Sequence, residues 1–282
     1  MAKPVVITVD STADLSPELL SRYDIHVIPL TITLGEESFP DGRGFGALDL
    51  YKRYHKDGTL PKTSAPGVQE FLDFFTPFVE QGCEVVHLDI SAELSNSYNA
   101  ARLAAQELEG VYPIDSRHLS AGIALLALEG AECRDRGLGA AEIAAHLEAL
   151  REKVSTSFVL DTLEFMWKGG RCTGVTALGA NLLKLKPALE MRGGKLSIYK
   201  KYRGAMPTVY RQYITERLRG KAVRPGHVFL VESGEIDPKE VEALMELVSA
   251  QTGCKELHHA VAGCTISSHC GPKTMGVIFL ET

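Results

Sequence analysis

The chain has 282 residues, 45% of them hydrophobic, with 30 basic and 36 acidic side chains and a formal charge of −6. That length supports one large or two modest domains with substantial cores, and the negative balance argues against whole-chain affinity for nucleic acid or an anionic membrane. The six cysteines, at positions 83, 133, 172, 254, 264 and 270, include no C-x-x-C pair and no His/Cys grouping at zinc spacing, so the spacing indicates neither a disulfide framework nor a metal site.

The amino terminus, MAKPVVITVD, runs into a β-branched segment with no long apolar h-region, and the apolar run at 123–128 is too short to cross a bilayer. A soluble, cytoplasmic protein is expected. Residues 5–9 predict a strand, closed by DSTADLSPELL, in which Ser16 can cap a helix and Pro17 suits its first position. The same order of strand, polar turn and helix returns at 85–90 with SAELSNSYNAA, and at 111–114 with DSRHLS and the apolar segment 121–133. Such alternation predicts the α/β class: a mainly parallel sheet with helices on both faces over residues 1–155. The polar turns then gather at the carboxyl ends of the strands, where open α/β sheets bind ligands. GRGFG, from Gly42 to Gly46, departs from the dinucleotide fingerprint, follows no clear strand and reads as a loop.

From about Thr156 the texture changes. EMRGGKLSIYKKYRG predicts two strands around Gly193-Gly194. Strands near 228–231, 258–261 and 275–280 and a helix over 238–248 complete a second α/β domain at 156–282, with an antiparallel or mixed sheet. A ligand site between the two domains is expected.

The signatures of P-loop nucleotide hydrolysis, of H-E-x-x-H metalloproteases and of the G-x-S-x-G elbow are absent. Each of the three Asp/Ser turns has a plain structural explanation, because these residues cap helices and close turns. Their recurrence at one sheet edge also suits a small anion or carboxylate, since helix N-termini present free N–H groups and a positive dipole. Thr63-Ser64, in LPKTSAPG, adds a hydroxyl pair on a loop ahead of another helix. MWKGGRC sets a diglycine between Lys168 and Arg171, either a helix end with solvated cations or a guanidinium free to grip a carboxylate through two N–H bonds. SSHCGP places His269 before a Gly-Pro turn, a pattern equally suited to a hydrogen-bonded structural histidine. Residues 184–224 carry twelve Lys or Arg against two acids. That stretch reads as a solvated face or as a docking surface for an anionic partner. Tyr199, Tyr202, Tyr210 and Tyr213 interleave with its charges and keep RNA binding as an alternative, without a nucleic-acid fold signature.

Taken together, DSTADL, TSAPG, ISAELSNSYNAA, IDS, KGGR, KLKPAL, YKKYRG and HCGPKTMGVIF resemble, in order and spacing and over essentially the whole chain, the DegV family of bacterial fatty-acid-binding proteins. The resemblance implies a non-catalytic, two-domain α/β protein that holds one long-chain fatty acid, needs no cofactor or metal, and serves phospholipid synthesis. It presents the acyl carboxylate to a separate fatty acid kinase, which makes the acyl phosphate. The family's carboxylate contacts fall on Thr63, Ser95, Arg171 and His269, with Ser64 and Asn96 beside them. The kinase docks, on this expectation, on the basic stretch around Lys200, Lys201 and Arg203; nucleic acid is not a partner, and transient membrane contact is compatible with lipid exchange. Asn96-Ser97 stands where the family usually has Gly-Thr, Gly67 where it often has serine, and Lys273-Thr274 at positions often small and apolar. The enzymatic alternative is an acyl hydrolase using Ser95 and His269 with an Asp such as Asp10 or Asp115.

Overall fold

The computed structural model describes residues 3–171 and 185–282; Cys172 and Lys184 lie outside the described residues. In the first part of the chain the elements are β1 (Val5–Asp10), α1 (Pro17–Arg22), β2 (Ile25–Ile28), β3 (Thr31–Leu34), β4 (Glu37–Pro40), α2 (Ala47–Asp57), β5 (Lys62–Ser64), α3 (Val68–Glu80), β6 (Glu84–Asp89), α4 (Ser97–Ala104), β7 (Val111–Asp115), α5 (Ala121–Asp135) and α6 (Ala140–Leu150). There follow β8 (Val154–Val159), α7 (Glu164–Lys168), β9 (Lys186–Arg192), β10 (Lys195–Tyr202), α8 (Met206–Leu218), β11 (Val223–Glu232), α9 (Pro238–Thr252), β12 (Glu256–Val261), α10 (Cys264–Cys270) and β13 (Met275–Glu281).

The strands form three sheets, ordered β2-β1-β6-β7, β10-β9-β8-β13-β11-β12 and β4-β3-β5. The first is parallel throughout. The second is antiparallel except where β11 pairs in parallel with β12, which makes it mixed. The expected α/β class, with helices on both faces of the parallel sheet, is what the structure has. The small antiparallel sheet was not foreseen, and it moves Thr63-Ser64 from the expected loop into strand β5.

The layers follow from where the apolar side chains fall. Phe71 and Phe75 of α3 and Ala100, Ala101 and Ala104 of α4 cover one face of the parallel sheet. On the other face, α5 and α6 pack against Ile7, Val9, Val86 and Leu88. Helix α5 is buried from Ala121 to Ala131 and lies between the two large sheets, because Phe158, Phe229 and Ile278 of the mixed sheet close on it from the opposite side. A helix that is apolar all round over its first eight residues, 121–128, belongs in such a middle layer. Gly122 permits the approach: a Cβ there would stand 2.5 Å from Thr156 Oγ1 and 2.8 Å from His118 Cβ. Helices α8 and α9 cover the outer face of the mixed sheet with Val209, Tyr213, Ile214, Val241 and Leu244.

The polar turns do gather at one edge. Strands β1, β6 and β7 all end on aspartate, and each carboxylate satisfies donors of the following loops. Asp10 Oδ2 accepts from Ile90 N at 2.9 Å, Asp89 Oδ1 from Ser97 Oγ at 2.7 Å, and Asp115 Oδ1 from Ala92 N at 3.1 Å and Arg117 N at 3.0 Å. Ser16 caps α1, with Pro17 in its first turn, as its sequence predicts.

Candidate functional site: a cavity between the two large sheets

Thr63 is the middle residue of β5, paired with the buried Ile32. Strand alternation sends Thr63 inward and Ser64 to solvent. Thr63 Oγ1 lies 2.9 Å from His269 Nε2, across a contact between the first and last parts of the chain. His269 is carried by α10, which is fixed at its other end by two carboxylates: Asp14 Oδ1 accepts from Gly263 N at 2.7 Å, and Asp41 Oδ1 accepts from Cys264 N at 3.0 Å. Burial pushes the Asp14 pKa up to about 8, so it serves the free N–H of the helix start as a mostly neutral acceptor. The DSTADL turn is therefore a clasp: Asp10 ties to Ile90, Ser11 Oγ donates to Asp41, and Asp14 holds the start of α10.

The diglycine of MWKGGRC has a definite use. A Cβ at Gly169 would stand 2.2 Å from His269 Nδ1 and 3.0 Å from Phe165 O, so only glycine lets the imidazole lie against this turn. Gly170 adopts a left-handed conformation, φ +70. The chain then reaches Arg171, whose N donates to Met166 O at 3.1 Å and whose Nη1 donates to Gly169 O at 2.9 Å. Burial, with the nearby Arg171 cation adding to it, pushes the His269 pKa down to about 4, so the imidazole is neutral at pH 7.

In the SAELSNSYNAA turn from β6 into α4 the serines divide the work. Ser97 is buried and binds Asp89, and Ser91 Oγ donates to Gly194 O at 2.7 Å, tying the turn to the β9–β10 hairpin. Ser95 Oγ accepts from Ser97 N at 3.2 Å. Asn96 is exposed, and its Oδ1 accepts from Asn99 Nδ2 at 3.3 Å.

Thr63, Ser95, Arg171 and His269 all line one cavity of about 60 Å³, whose remaining walls include Ile90, Leu94, Met166, Leu196 and Ile266. Ser64 and Asn96 are not among its lining residues. A second chamber of about 30 Å³ shares the walls Leu119, Phe158, Ile266 and Cys270, and continues toward Thr156, Ser233 and Thr274. None of the described residues lining the first cavity is acidic, and Arg171 is the permanently charged one. Two buried polar atoms in its lining, His269 Nδ1 and Thr265 Oγ1, have no hydrogen-bond partner among the described residues. The arrangement is a mainly apolar recess whose lining includes hydroxyls, a neutral imidazole and a guanidinium. Such a recess suits an amphipathic anion.

The sequence reasoning missed Asp41 and Ser120. Asp41 directly follows β4, a four-residue strand whose sequence carries no distinctive signal. Ser120 Oγ donates to Asp14 Oδ2 and adopts φ 53. Three of the four interleaved tyrosines tell against the RNA alternative, while Tyr199 is 37% exposed and has the Arg217 guanidinium 5.2 Å over its ring. Tyr202, Tyr210 and Tyr213 are buried in the core under α8, and Tyr213 OH donates to Ser157 O at 2.7 Å, so they offer no stacking face. The basic stretch is also largely paired: Arg217 with Glu190, Arg211 with Glu240, Lys221 with Glu281 and Lys200 with Glu216. Lys201 and Arg203 are exposed. Among the described residues no helix is long and apolar enough to cross a membrane.

The family model described as "Uncharacterised protein, DegV family" matches residues 4–282. A DegV domain-containing protein of Clostridium perfringens is 27% identical over 283 residues, covering 100% of this chain and 99% of that protein. Among solved structures, a DegV family protein from Thermus thermophilus described for fatty acid binding superposes with a TM-score of 0.88 at 28% identity, covering 100% of both chains. A stearic acid-binding protein from Eubacterium ventriosum gives 0.84 at 26% identity, covering 100% of this chain and 98% of that one.

Proposed function

The chain belongs to the DegV family, and on that premise we propose that it holds one long-chain fatty acid, without catalysing a reaction on it, and presents the carboxylate to a separate kinase that forms the acyl phosphate for phospholipid synthesis. The observation that carries this reading is the convergence of Thr63, Ser95, Arg171 and His269 on one acid-free, mainly apolar cavity. Hydroxyl donors and a guanidinium receive the carboxylate, while the apolar walls receive the tail. Burying each CH₂ is worth about 0.8 kcal/mol, so a tail of about sixteen carbons contributes roughly 12 kcal/mol gross. The two chambers, about 60 and 30 Å³, are smaller than such a tail, and entry spreads the flexible Leu94, Met166 and Leu196 side chains. In this reading residues 1–155 and 156–282 act as two domains with the ligand between them. His269 Nε2 is engaged with Thr63 and Ser95 Oγ with Ser97 N, which supports reception over nucleophilic attack. The kinase meets Lys201 and Arg203, whose charges steer an acidic partner.

The test combines mass spectrometry of lipid extracted from the purified chain with titration of fatty acid followed by Trp167 fluorescence, the single tryptophan of the sequence. About one fatty acid per chain is expected. A hydrogen bond to a charged group is worth roughly 1.5–3 kcal/mol, so Thr63→Ala or Ser95→Ala weakens binding about tenfold to a hundredfold while the tail term keeps lipid bound. Folded protein that extracts without stoichiometric lipid and takes none up overturns the proposal.

A further inference from the structure

Away from the cavity, the parallel edge of the mixed sheet brings together two histidines and a glutamate that are far apart in sequence. His227 on β11 is register partner of Glu256 on β12, and His258 follows two residues after Glu256 on the same face of the strand. His227 Nδ1 lies 2.9 Å from His258 Nε2, and Glu256 Oε2 lies 4.0 Å from each of those nitrogens. The centre of a triangle with these sides is about 2.1 Å from every corner, within the roughly 2.0–2.2 Å that Zn²⁺ keeps to imidazole and carboxylate. The other ring nitrogen of His227 is held from outside the trio: Glu132 Oε1 of α5 lies at 3.2 Å and Tyr23 OH at 3.3 Å. A carboxylate behind a ligating histidine fixes its tautomer and raises its basicity.

We propose that His227, Glu256 and His258 bind one divalent late transition-metal ion of the zinc class, with Glu132 as the outer carboxylate that orients His227. A cavity of about 240 Å³, lined by Glu129, Glu132, His227 and Glu256 among others, adjoins the trio and leaves room for water to complete the coordination. Two imidazoles and one carboxylate with an open position are a set that such ions accept. Arg22 holds both oxygens of Glu256 at 2.8 and 3.0 Å. It is half exposed, and metal binding exchanges its contact with Oε2. A second grouping, Glu129 with Cys133 and His146, is a poorer host. Arg136 lies 3.0 Å from Cys133 Sγ and Arg224 lies 2.8 Å from Glu129 Oε2, so two guanidiniums already occupy that site's negative groups. Because Tyr23 closes α1 and Glu132 belongs to the middle-layer helix α5, while the ligands stand on the mixed sheet, the ion fastens these layers together, and none of its ligands lines the cavity of Thr63 and His269.

The test uses the full chain stripped with a chelator, then titrated with Zn²⁺ by calorimetry and with Co²⁺ by visible absorption. One equivalent is expected, with a rise in melting temperature. His258→Gln and Glu256→Gln each weaken binding at least tenfold, Glu132→Gln weakens it about tenfold while leaving every ligand in place, and Arg22→Ala does not weaken it. Circular dichroism checks that the variants fold, and Glu132→Gln decides the matter should a ligand substitution unfold the chain. Parental affinity in folded Glu132→Gln and His258→Gln overturns the assignment. So does a thiolate charge-transfer band that disappears in Cys133→Ser, because it moves the ion to the other grouping.

Discussion

The two ends of the short helix α10 treat buried titratable groups in opposite ways. At its start Asp14 is fully served, accepting from Gly263 N and Ser120 Oγ, with Asp41 beside it. At its end His269 has one ring nitrogen bonded to Thr63 and the other without a partner among the described residues. Burial discharges both: it pushes the Asp14 pKa up to about 8, and the His269 pKa down to about 4. The satisfied end is a clasp that joins α1's approach, α5 and α10. The incompletely satisfied end faces the cavity, and a histidine held neutral there leaves Arg171 as the positive charge to meet an anion. Satisfaction, more than burial, separates the clasp from the end that faces the cavity.

The contrast can be broken most severely at Asp14. Asp14→Ala leaves a backbone N–H and a hydroxyl without their acceptor, each worth roughly 1–3 kcal/mol, so the chain loses about 2–6 kcal/mol of stability in chemical denaturation. Asp14→Asn keeps an oxygen for Gly263 N and an amide for Ser120, and is expected to retain most of that stability. The same pair sharpens the contrast through pH. Because the folded pKa of Asp14 is raised above its unfolded 3.8, its contribution is complete below that value and disappears as pH rises through about 8. Melting curves of the parent therefore decline toward alkaline pH, and Asp14→Asn flattens that decline.

His269 has the reverse sign. Its folded pKa is depressed from 6.5 to about 4, so its contribution is present above 6.5 and is lost as pH falls through 4. That shift corresponds to about 3 kcal/mol. His269→Gln removes this acid-side loss from denaturation curves measured between pH 7 and pH 4. An unchanged acid slope in the variant refutes the neutral, buried imidazole.

A smaller effect is expected at the glycine that makes room for His269. Gly169→Ala drives a methyl group into His269 Nδ1 and toward Phe165 O, which cannot both give way. Overpacking of this kind costs about 1–3 kcal/mol, and the displaced imidazole leaves Thr63. Fatty acid affinity, read from Trp167 fluorescence, falls with it, whereas Gly170→Asn, at φ +70 in open space, has a milder effect on both.

Much of the fold was legible because its causes are local. The β-branched run ending in Asp10, the Ser16-Pro17 start of α1 and the Gly193-Gly194 hairpin all announce themselves through backbone preference and capping chemistry. The apolar segment of α5 was visible too, but not that it lies between two sheets, since a uniformly apolar run such as 121–128 specifies burial without specifying its neighbours. The small sheet was hidden because β3, β4 and β5 are three or four residues long, with too few alternations to carry a period.

The sequence by itself determined the chemical types at the cavity: a hydroxyl at 63, a serine at 95, a guanidinium at 171 and an imidazole at 269, each in a motif whose order resembles one family. Only the tertiary structure decided which of them meet. The 2.9 Å contact of Thr63 with His269 spans 206 positions, the Asp14 hold on Gly263 spans 249, and the trio of His227, Glu256 and His258 exists only because β12 lies beside β11 in parallel register. Spacing rules for metal and catalytic motifs read one strand or one helix at a time. They are blind to side chains whose proximity is created by hydrogen bonds between strands and by the burial of a helix between sheets.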